Sequence, residues 1–566
     1  MIEPVRAGGA SQRERAEALR EILAERILVL DGATGTWLQG QSLTAADFGG
    51  EPYEGCNEHL VLTRPDTIRA MHEAYLSAGA DMVETDTFGA TPLVLAEYGL
   101  AEKALDINAQ AARLARAAAA KFATPGKPRF VAGSMGPTTR SVTVTGGVTF
   151  DELTGHFRTQ AIGLISGGAD VLLLETTQDT RNLKAGLIGA EQAFAEVGWR
   201  VPIMVSATIE PTGTMLAGQA IDALYASVMH APLLSVGVNC ATGPEFMTDH
   251  VRSLSALART LTSCYPNAGL PDVEGGYPQT PETLASSLSR FLEEGWLNIV
   301  GGCCGTTPAH IAALAEAAEG RKPRRVPIHN KTLVSGIEML EVDVDNRPVL
   351  VGERTNVLGS RKFKRLIAEG QYEAAAEIAR AQVRHGAQII DVCLQDPDRD
   401  EAADVNAFLE RATRMVKVPL MLDSTDAKVL ELGLKWSQGK SILNSINLED
   451  GEERLRAVLP LAQRYGAAVI VGTIDEDPVH GMGVTRQRKL EIARRSYTLL
   501  TEKYGFPPED ILFDPLVFPC GTGDEKYVGS AVETIEGIRA IKAAFPESKT
   551  ILGISNVSFG LPESGR

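Results

Sequence analysis

No stretch of the sequence approaches the ~18 consecutive apolar residues that a membrane-spanning helix needs, so no membrane segment is expected. The amino terminus, MIEPVRAGGASQRERAEALREIL, carries charges where a secretory signal would have an apolar core. Cysteine is sparse. Seven in 566 residues, an odd number without a Cys-x-x-Cys pair, exclude a disulfide scaffold and favour a reducing, cytoplasmic setting. An excess of positive charge is also missing: the formal net charge is −17. A general nucleic-acid surface, which needs Lys and Arg to displace counterions, is therefore not expected. Small anionic ligands remain open, because sites are local and net charge is global. What is present is ordinary globular usage, 44% hydrophobic and 22% charged residues, enough to bury a large core.

The chain repeats one theme: a short run of Val, Ile and Leu, a polar or Gly-rich turn, then an Ala-rich amphipathic stretch. That is the pattern of β-α units around a parallel sheet. Strands are expected at 27–36, 81–88, 130–136, 170–177, 203–209, 235–240, 261–269 and 298–305, with a helix over 101–121 among those between them. Eight alternations in roughly 300 residues fit a (β/α)8 barrel, with an open doubly wound sheet as the rival. Residues 320–332, GRKPRRVPIHNKT, hold two prolines and clustered positive charge without apolar period. They read as a solvated connector. The theme restarts with strands at 349–356, 388–393, 419–424, 441–447, 468–474, 511–518 and 550–560. A barrel closes with eight strands, so this half is expected to lack its last one and the chain to be a fragment of a longer protein. The expected fold class is α/β, two (β/α)8 TIM-type barrels in tandem. The expected divisions are an N-terminal extension over 1–21, a first barrel over 22–320, a linker over 321–334 and a second, truncated barrel over 335–566.

The sharpest motif is Gly301-Gly302-Cys303-Cys304-Gly305-Thr306-Thr307 at the end of the eighth strand, where barrel active sites form. Adjacent side chains on a regular strand point to opposite faces, and the glycines permit a bend that would bring both sulfurs together. Cys240 ends the sixth strand in Val-Asn-Cys. Three thiolates at strand ends would make a zinc site with the fourth position open to a substrate thiol. Spacing alone leaves this reading level with three buried, hydrophobe-like cysteines. The latter is the expectation for Cys56, Cys264, Cys393 and Cys520.

Asp31-Gly-Ala-Thr-Gly-Thr36, Glu84-Thr-Asp-Thr-Phe88, Val238-Asn-Cys240, Pro266-Asn-Ala-Gly269 and the Gly-Gly-Cys-Cys-Gly-Thr run recur in order over about residues 22–320. This half resembles the zinc-dependent homocysteine S-methyltransferase domain. The resemblance implies that Cys240, Cys303 and Cys304 bind zinc, that Asp31 and Glu175 hold the homocysteine ammonium, and that backbone near Ala33 and Thr34 meets its carboxylate. On the residues alone, strand-end carboxylates suit an amino group but also serve as helix caps.

In the second half Asp391, Asp423, Asn444, Asp514 and Asn556 each follow an apolar run, at or near a strand end. Together Asp and Asn offer the donors and acceptors that match a heterocycle with amide and amidine edges. GERTN, QIID, LMLDS, ILNSIN, FDPLVF and ISNVSFG, over about residues 335–566, resemble the pterin-binding family, most closely the methyltetrahydrofolate domain of cobalamin-dependent methionine synthases. The resemblance implies that Asp423, Asn444 and Asp514 grip the pterin and that Asn556, as a catalytic group, lies near N5. Cys393 departs from it, standing where some relatives have Asn. Cobalamin modules carry Asp-x-His-x-x-Gly. Asp477-Pro-Val-His480-Gly-Met-Gly483 has one residue too many and reads as a loop coincidence. The combined resemblance implies methyl transfer from 5-methyltetrahydrofolate, through methylcobalamin on a module outside this chain, in cis or in trans, to zinc-bound homocysteine. Two alternatives stay open: a cobalamin-independent homocysteine methyltransferase using S-methylmethionine or betaine, and a noncatalytic scaffold that binds folate and docks corrinoid proteins.

Overall fold

The computed structural model describes residues 11–562 and 564. Two compact units emerge. One holds the chain up to Tyr225 together with Ala231–Ile328, the other Ala226–His230 and the residues from His329 on. Among the described residues no helix is long and apolar enough to cross a membrane.

In the first unit the expected runs become eight parallel strands. They are β1 (Leu28–Val29), β2 (Met82–Glu84), β3 (Phe130–Met135), β4 (Val171–Thr177), β5 (Ile203–Ala207), β6 (Leu233–Asn239), β7 (Leu261–Tyr265) and β8 (Ile299–Val300). Their order is β1-β8-β7-β6-β5-β4-β3-β2, and a parallel bridge between Leu30 and Met82 joins the two ends. Local chemistry sets the helices between them. Thr149 and Glu152 form a reciprocal capping box before Phe150–Gly167, and Gly168, left-handed at φ +106, ends that helix. The interior follows the strand period of two. Phe130 and Ala132 on β3, and Val171 and Leu173 on β4, point into one buried cluster with Leu28, Leu30, Met82, Met204 and Ile299.

Residues 1–10 of the extension expected at 1–21 lie outside the described residues. From Gln12 to Glu25 the chain is helical, and Leu19 and Leu23 of this helix enter the barrel cluster itself. Gln12 Nε2 donates to the carbonyls of Ile165 and Ala169, and Arg15 pairs with the buried Asp170. The helix is thus a stopper on the barrel floor. Its period was hidden by the charges of its outer face.

The second unit opens on an antiparallel hairpin, β9 (Leu333–Ser335) with β10 (Met339–Glu341). A parallel sheet follows in sequence order: β11 (Val351–Gly352), β12 (Ile389–Val392), β13 (Leu420–Asp423), β14 (Ile442–Leu448), β15 (Ala468–Asp475), β16 (Ile511–Asp514) and β17 (Lys549–Thr550). Among the described residues it has seven strands, with β11 and β17 at its edges. Val334 of the hairpin packs against Ile389, Met421, Ile442, Ile470 and Leu512, so the hairpin stoppers this barrel as the helix does the first. The hairpin was not anticipated, since three-residue strands carry too little alternation to read. The positive charge before it is also not simply solvated. Arg324 is buried and its guanidinium donates to the carbonyls of Ser255, Ala258 and Thr260. Three carbonyls at one chain bend compensate the buried cation.

Leu19 is fully buried in the barrel cluster, whereas Val273 stands free in solvent. Leu19→Ala is expected to cost the first unit about 3 kcal/mol, read as a lowered urea midpoint. Val273→Ala is expected to stay within about 0.5 kcal/mol. Equal midpoints for the two variants would show that the helix is not part of the core.

Candidate functional site

Cys240 leaves β6 in left-handed backbone, φ +60, and Ala241 follows at φ +57. For L-residues this costs on the order of 1–2 kcal/mol each, and the sharp bend carries the sulfur toward the end of β8. There the strand stops at Val300, so Cys303 and Cys304 are free of strand alternation. Cys303 N donates to Pro266 O, Cys304 N to Asn267 Oδ1 and Thr306 Oγ1 to Cys303 O. Gly302 leaves the room that Thr306 fills: a Cβ there would lie 2.5 Å from Thr306 Oγ1. The result is a cluster in which the sulfurs of Cys240, Cys303 and Cys304 all lie within 4.8 Å of one another, Cys240 and Cys304 at 3.8 Å. All seven cysteines are free thiols. A tetrahedral zinc with Zn–S near 2.3 Å sets its sulfurs about 3.8 Å apart, so the donor set and its spacing fit that ion. Hydrogen bonds from Cys240 and Cys303 draw the Cys304 thiol down to about 3, while hydrogen bonds to Cys240 and Cys304, with burial, push Cys303 well up.

Beside the sulfurs lies a layer of carboxyls. On β4 the inward series Val171, Leu173 continues to Glu175, and on β2 Met82 is followed by Glu84. The barrel interior thus turns polar where the strands end. Asp31, just past β1, accepts from Glu84 N at 3.0 Å through Oδ2, while its buried Oδ1 has no partner. Gly302 N donates to the carbonyl of Asp31, tying this residue to the cysteine turn. Glu175 accepts from Ser134 Oγ and shares a hydrogen bond with Glu84. Burial, helped by mutual repulsion, pushes Asp31 and Glu84 well above the usual carboxylate range, and burial raises Glu175 to about 7. Ala33 precedes the short helix Thr34–Gln39, which Thr34 opens. The Ala33 amide donates to Thr306 Oγ1 and its carbonyl accepts from Tyr75 Oη.

Two residues escaped the sequence reading. Glu84 was seen only as part of a motif, although its place two residues after Met82 marks it as inward. Tyr277 comes from the loop after β7. Its ring lies against Gly305, where a Cβ would meet it at 2.2 Å, and its hydroxyl bonds the Cys304 sulfur. Nothing in the sequence pairs those two positions.

In the second unit four expected residues share one rule of placement. Asp391, Asp423, Asn444 and Asp514 each stand two positions after a core residue, namely Ile389, Met421, Ile442 and Leu512, and so form the next inward layer. Asp391 is buried. Its Oδ1 has no partner and its Oδ2 receives Asn356 Nδ2 at 3.4 Å. Burial and the nearby Asp423 raise it to about 8, and burial raises Asp423 to about 6. The first is thus biased toward its protonated, donating form relative to the second. Buried Cys393 donates to Asp423, so it is more than a small hydrophobe. Cys520, expected to be buried, is exposed. Asn556 differs as well. It is exposed in a turn, Ile554–Ser558, and not at a strand end. β17 pairs with β16 over only two residues, and with no partner along its other edge among the described residues the extended run expected to 560 stops at Thr550. Asp477 caps a turn, accepting from the amides of Val479 and His480, as a loop coincidence requires.

Comparison with known proteins follows the same division. Residues 28–318 match the homocysteine S-methyltransferase family and residues 352–564 the pterin-binding enzyme family. A methionine synthase of Mycobacterium tuberculosis is 40% identical over 97% of this chain and 46% of its own length. The chain therefore spans about half of that relative. Among solved structures, the metallated form of the homocysteine methyltransferase MmuM from Escherichia coli is 25% identical with a TM-score of 0.43, over 53% of this chain and 98% of that one. Dihydropteroate synthase from Xanthomonas albilineans is 17% identical with a TM-score of 0.25, over 38% and 75% of the respective chains. With its first unit matched from strand β1 to the helix after β8, the chain belongs to the homocysteine S-methyltransferase family.

Proposed function

We propose that the chain carries the two substrate barrels of a cobalamin-dependent methionine synthase, in which a methyl group passes from 5-methyltetrahydrofolate, by way of cobalamin, to homocysteine. The observation that carries this reading is the meeting of Cys240, Cys303 and Cys304, from two strand ends distant in sequence, at the sulfur spacing of a tetrahedral site. Zinc held by those sulfurs supplies the positive charge that keeps a substrate thiol ionised and nucleophilic. Cobalamin, brought by a module in cis or in trans, supplies the carrier for the methyl group.

This chain's residues do the rest. Asp31 and Glu175 receive the α-ammonium of homocysteine. Asp31 Oδ1 is buried without a partner, so a cationic ligand relieves an existing cost. Glu84 takes up the proton that the crowded carboxyls must share. Backbone at Ala33 and Thr34, at the positive end of the helix Thr34–Gln39, faces the substrate carboxylate. In the second barrel Asp391 donates, Asp423 and Asp514 accept, and Asn444 does both, which suits the alternating edge of a pterin. The N5 of methyltetrahydrofolate is a tertiary amine and a poor leaving group, so it needs a proton or a strong hydrogen bond as the methyl departs. Within this ring Asp391, raised to about 8, is the acid still protonated at neutral pH.

Metal analysis of wild type is expected to find about one zinc per chain, and Cys303→Ala is expected to lose both the metal and the methylation of homocysteine from supplied methylcobalamin. A variant that keeps metal-dependent activity would refute the ligand assignment. Transfer from S-methylmethionine or betaine without a corrinoid would favour the cobalamin-independent alternative.

The folate ring also has a pH signature. Asp423, raised to about 6, is an anionic acceptor above that pH and gains a proton below it. Affinity for methyltetrahydrofolate is therefore expected to fall as pH drops through 6. Asp423→Asn is expected to bind about tenfold more weakly and to show no such fall between pH 5 and 7. An unchanged pH profile in the variant would remove Asp423 from the ring.

A further inference from the structure

Lys489 has an unusual setting for a lysine. It lies in the first turn of the helix Arg486–Thr498, yet its side chain is fully buried. It reaches its place through a gap at Gly537, where a Cβ would come within 2.6 Å of the lysine Cδ. The ammonium donates to the carbonyl of Gly483 at 2.7 Å, to that of Pro515, and to that of Leu516 at 3.4 Å. Gly483 lies in the loop after β15. Pro515 and Leu516 immediately follow Asp514 at the end of β16.

That turn is under strain. Leu516 is left-handed at φ +60, a conformation that costs a branched L-residue on the order of 1–2 kcal/mol. Three fasteners hold it. Leu516 N donates to Asp514 Oδ1 at 2.8 Å, Thr534 Oγ1 donates to Leu516 O at 2.9 Å, and the Lys489 ammonium donates to the Pro515 and Leu516 carbonyls. Lys489 also faces the carboxylates of Asp514 and Glu533, and its charge opposes the upward push that burial exerts on Asp514. Glu533 is already committed to Arg486, whereas Lys489 is the cation that acts on Asp514.

We propose that Lys489 is a positioning residue for the pterin ring: by clamping the strained Asp514–Leu516 turn to the loop after β15, it fixes the Asp514 carboxylate in the inward layer and holds it in its accepting form. This rests on the folate reading above. The Lys489 ammonium is spent on three carbonyls. It acts through Asp514, and a residue that merely supports the fold would not depend on that carboxylate.

The test is a double-mutant cycle read by methyltetrahydrofolate binding at pH 7, without homocysteine or corrinoid, on the whole chain. Lys489→Met keeps length and removes the charge. It is expected to raise Kd about tenfold in the wild-type background and less than about twofold in Asp514→Asn, the coupling that residues acting as a unit show. Gly537→Ala blocks the lysine's path while leaving Lys489 in the chain, and is expected to repeat the loss if Lys489→Met does not fold. Equal losses in both Asp514 backgrounds, or wild-type affinity in Lys489→Met or in a folded Gly537→Ala, would overturn the proposal. Absence of folate binding by wild type would instead overturn the reading of the barrel.

Discussion

In a parallel barrel every second residue of a strand faces inward, and the rest of this molecule depends on that alternation. The inward series begins at the barrel floor with large apolar side chains and ends at the rim with polar ones. On β4 it runs Val171, Leu173, Glu175. On β12 it runs Ile389, Asp391. A one-residue slip would bury the helix-facing set in the lumen and send the carboxyls into the apolar layer between sheet and helices. The apolar floor holds register, and register puts the chemistry at one depth. Stability and function are therefore set by the same strands, and a packing change low in the barrel is felt at the rim.

The two rims solve the problem of buried charge differently. In the first unit soft sulfurs and crowded carboxyls lie side by side, and both want positive charge: the thiols a cation, the acids an ammonium. Only one thiol, Cys304, is drawn down without it. In the second unit the acids are separated by strand spacing and divided by environment. Burial holds Asp391 higher than Asp423, and the charge of Lys489 opposes the rise of Asp514. The first rim concentrates groups that gain from positive charge, and the second spreads donors and acceptors over neighbouring strand ends.

Much of this was legible in advance because it depends on local pattern. Every strand of the two parallel sheets overlaps a run read as a strand, although β17 touches its run only at Thr550, and the cysteine turn is marked by its glycines. The paired glycines permit the convergence of the sulfurs that was expected of them. They let the chain leave β8 early, and alternation no longer separates the sulfurs. What stayed hidden depends on contacts distant in sequence. Tyr277 meets Gly305 through loop packing, Arg324 finds its carbonyls at a bend 66 residues earlier in the chain, and Lys489 needs the gap at Gly537. The β9–β10 hairpin was missed because its strands are too short to show a period. Asn556 was placed on a strand by its flanking apolar residues, but extended backbone persists only where a neighbour supplies hydrogen bonds.

The floor stoppers have a kinetic corollary. With Leu19 and Leu23 sealing the lumen of the closed first sheet, that barrel is a blind well. Anything that enters by the rim must depart by the rim, so arrival and departure share one doorway and must take turns. A spent product lingering there delays the next occupant.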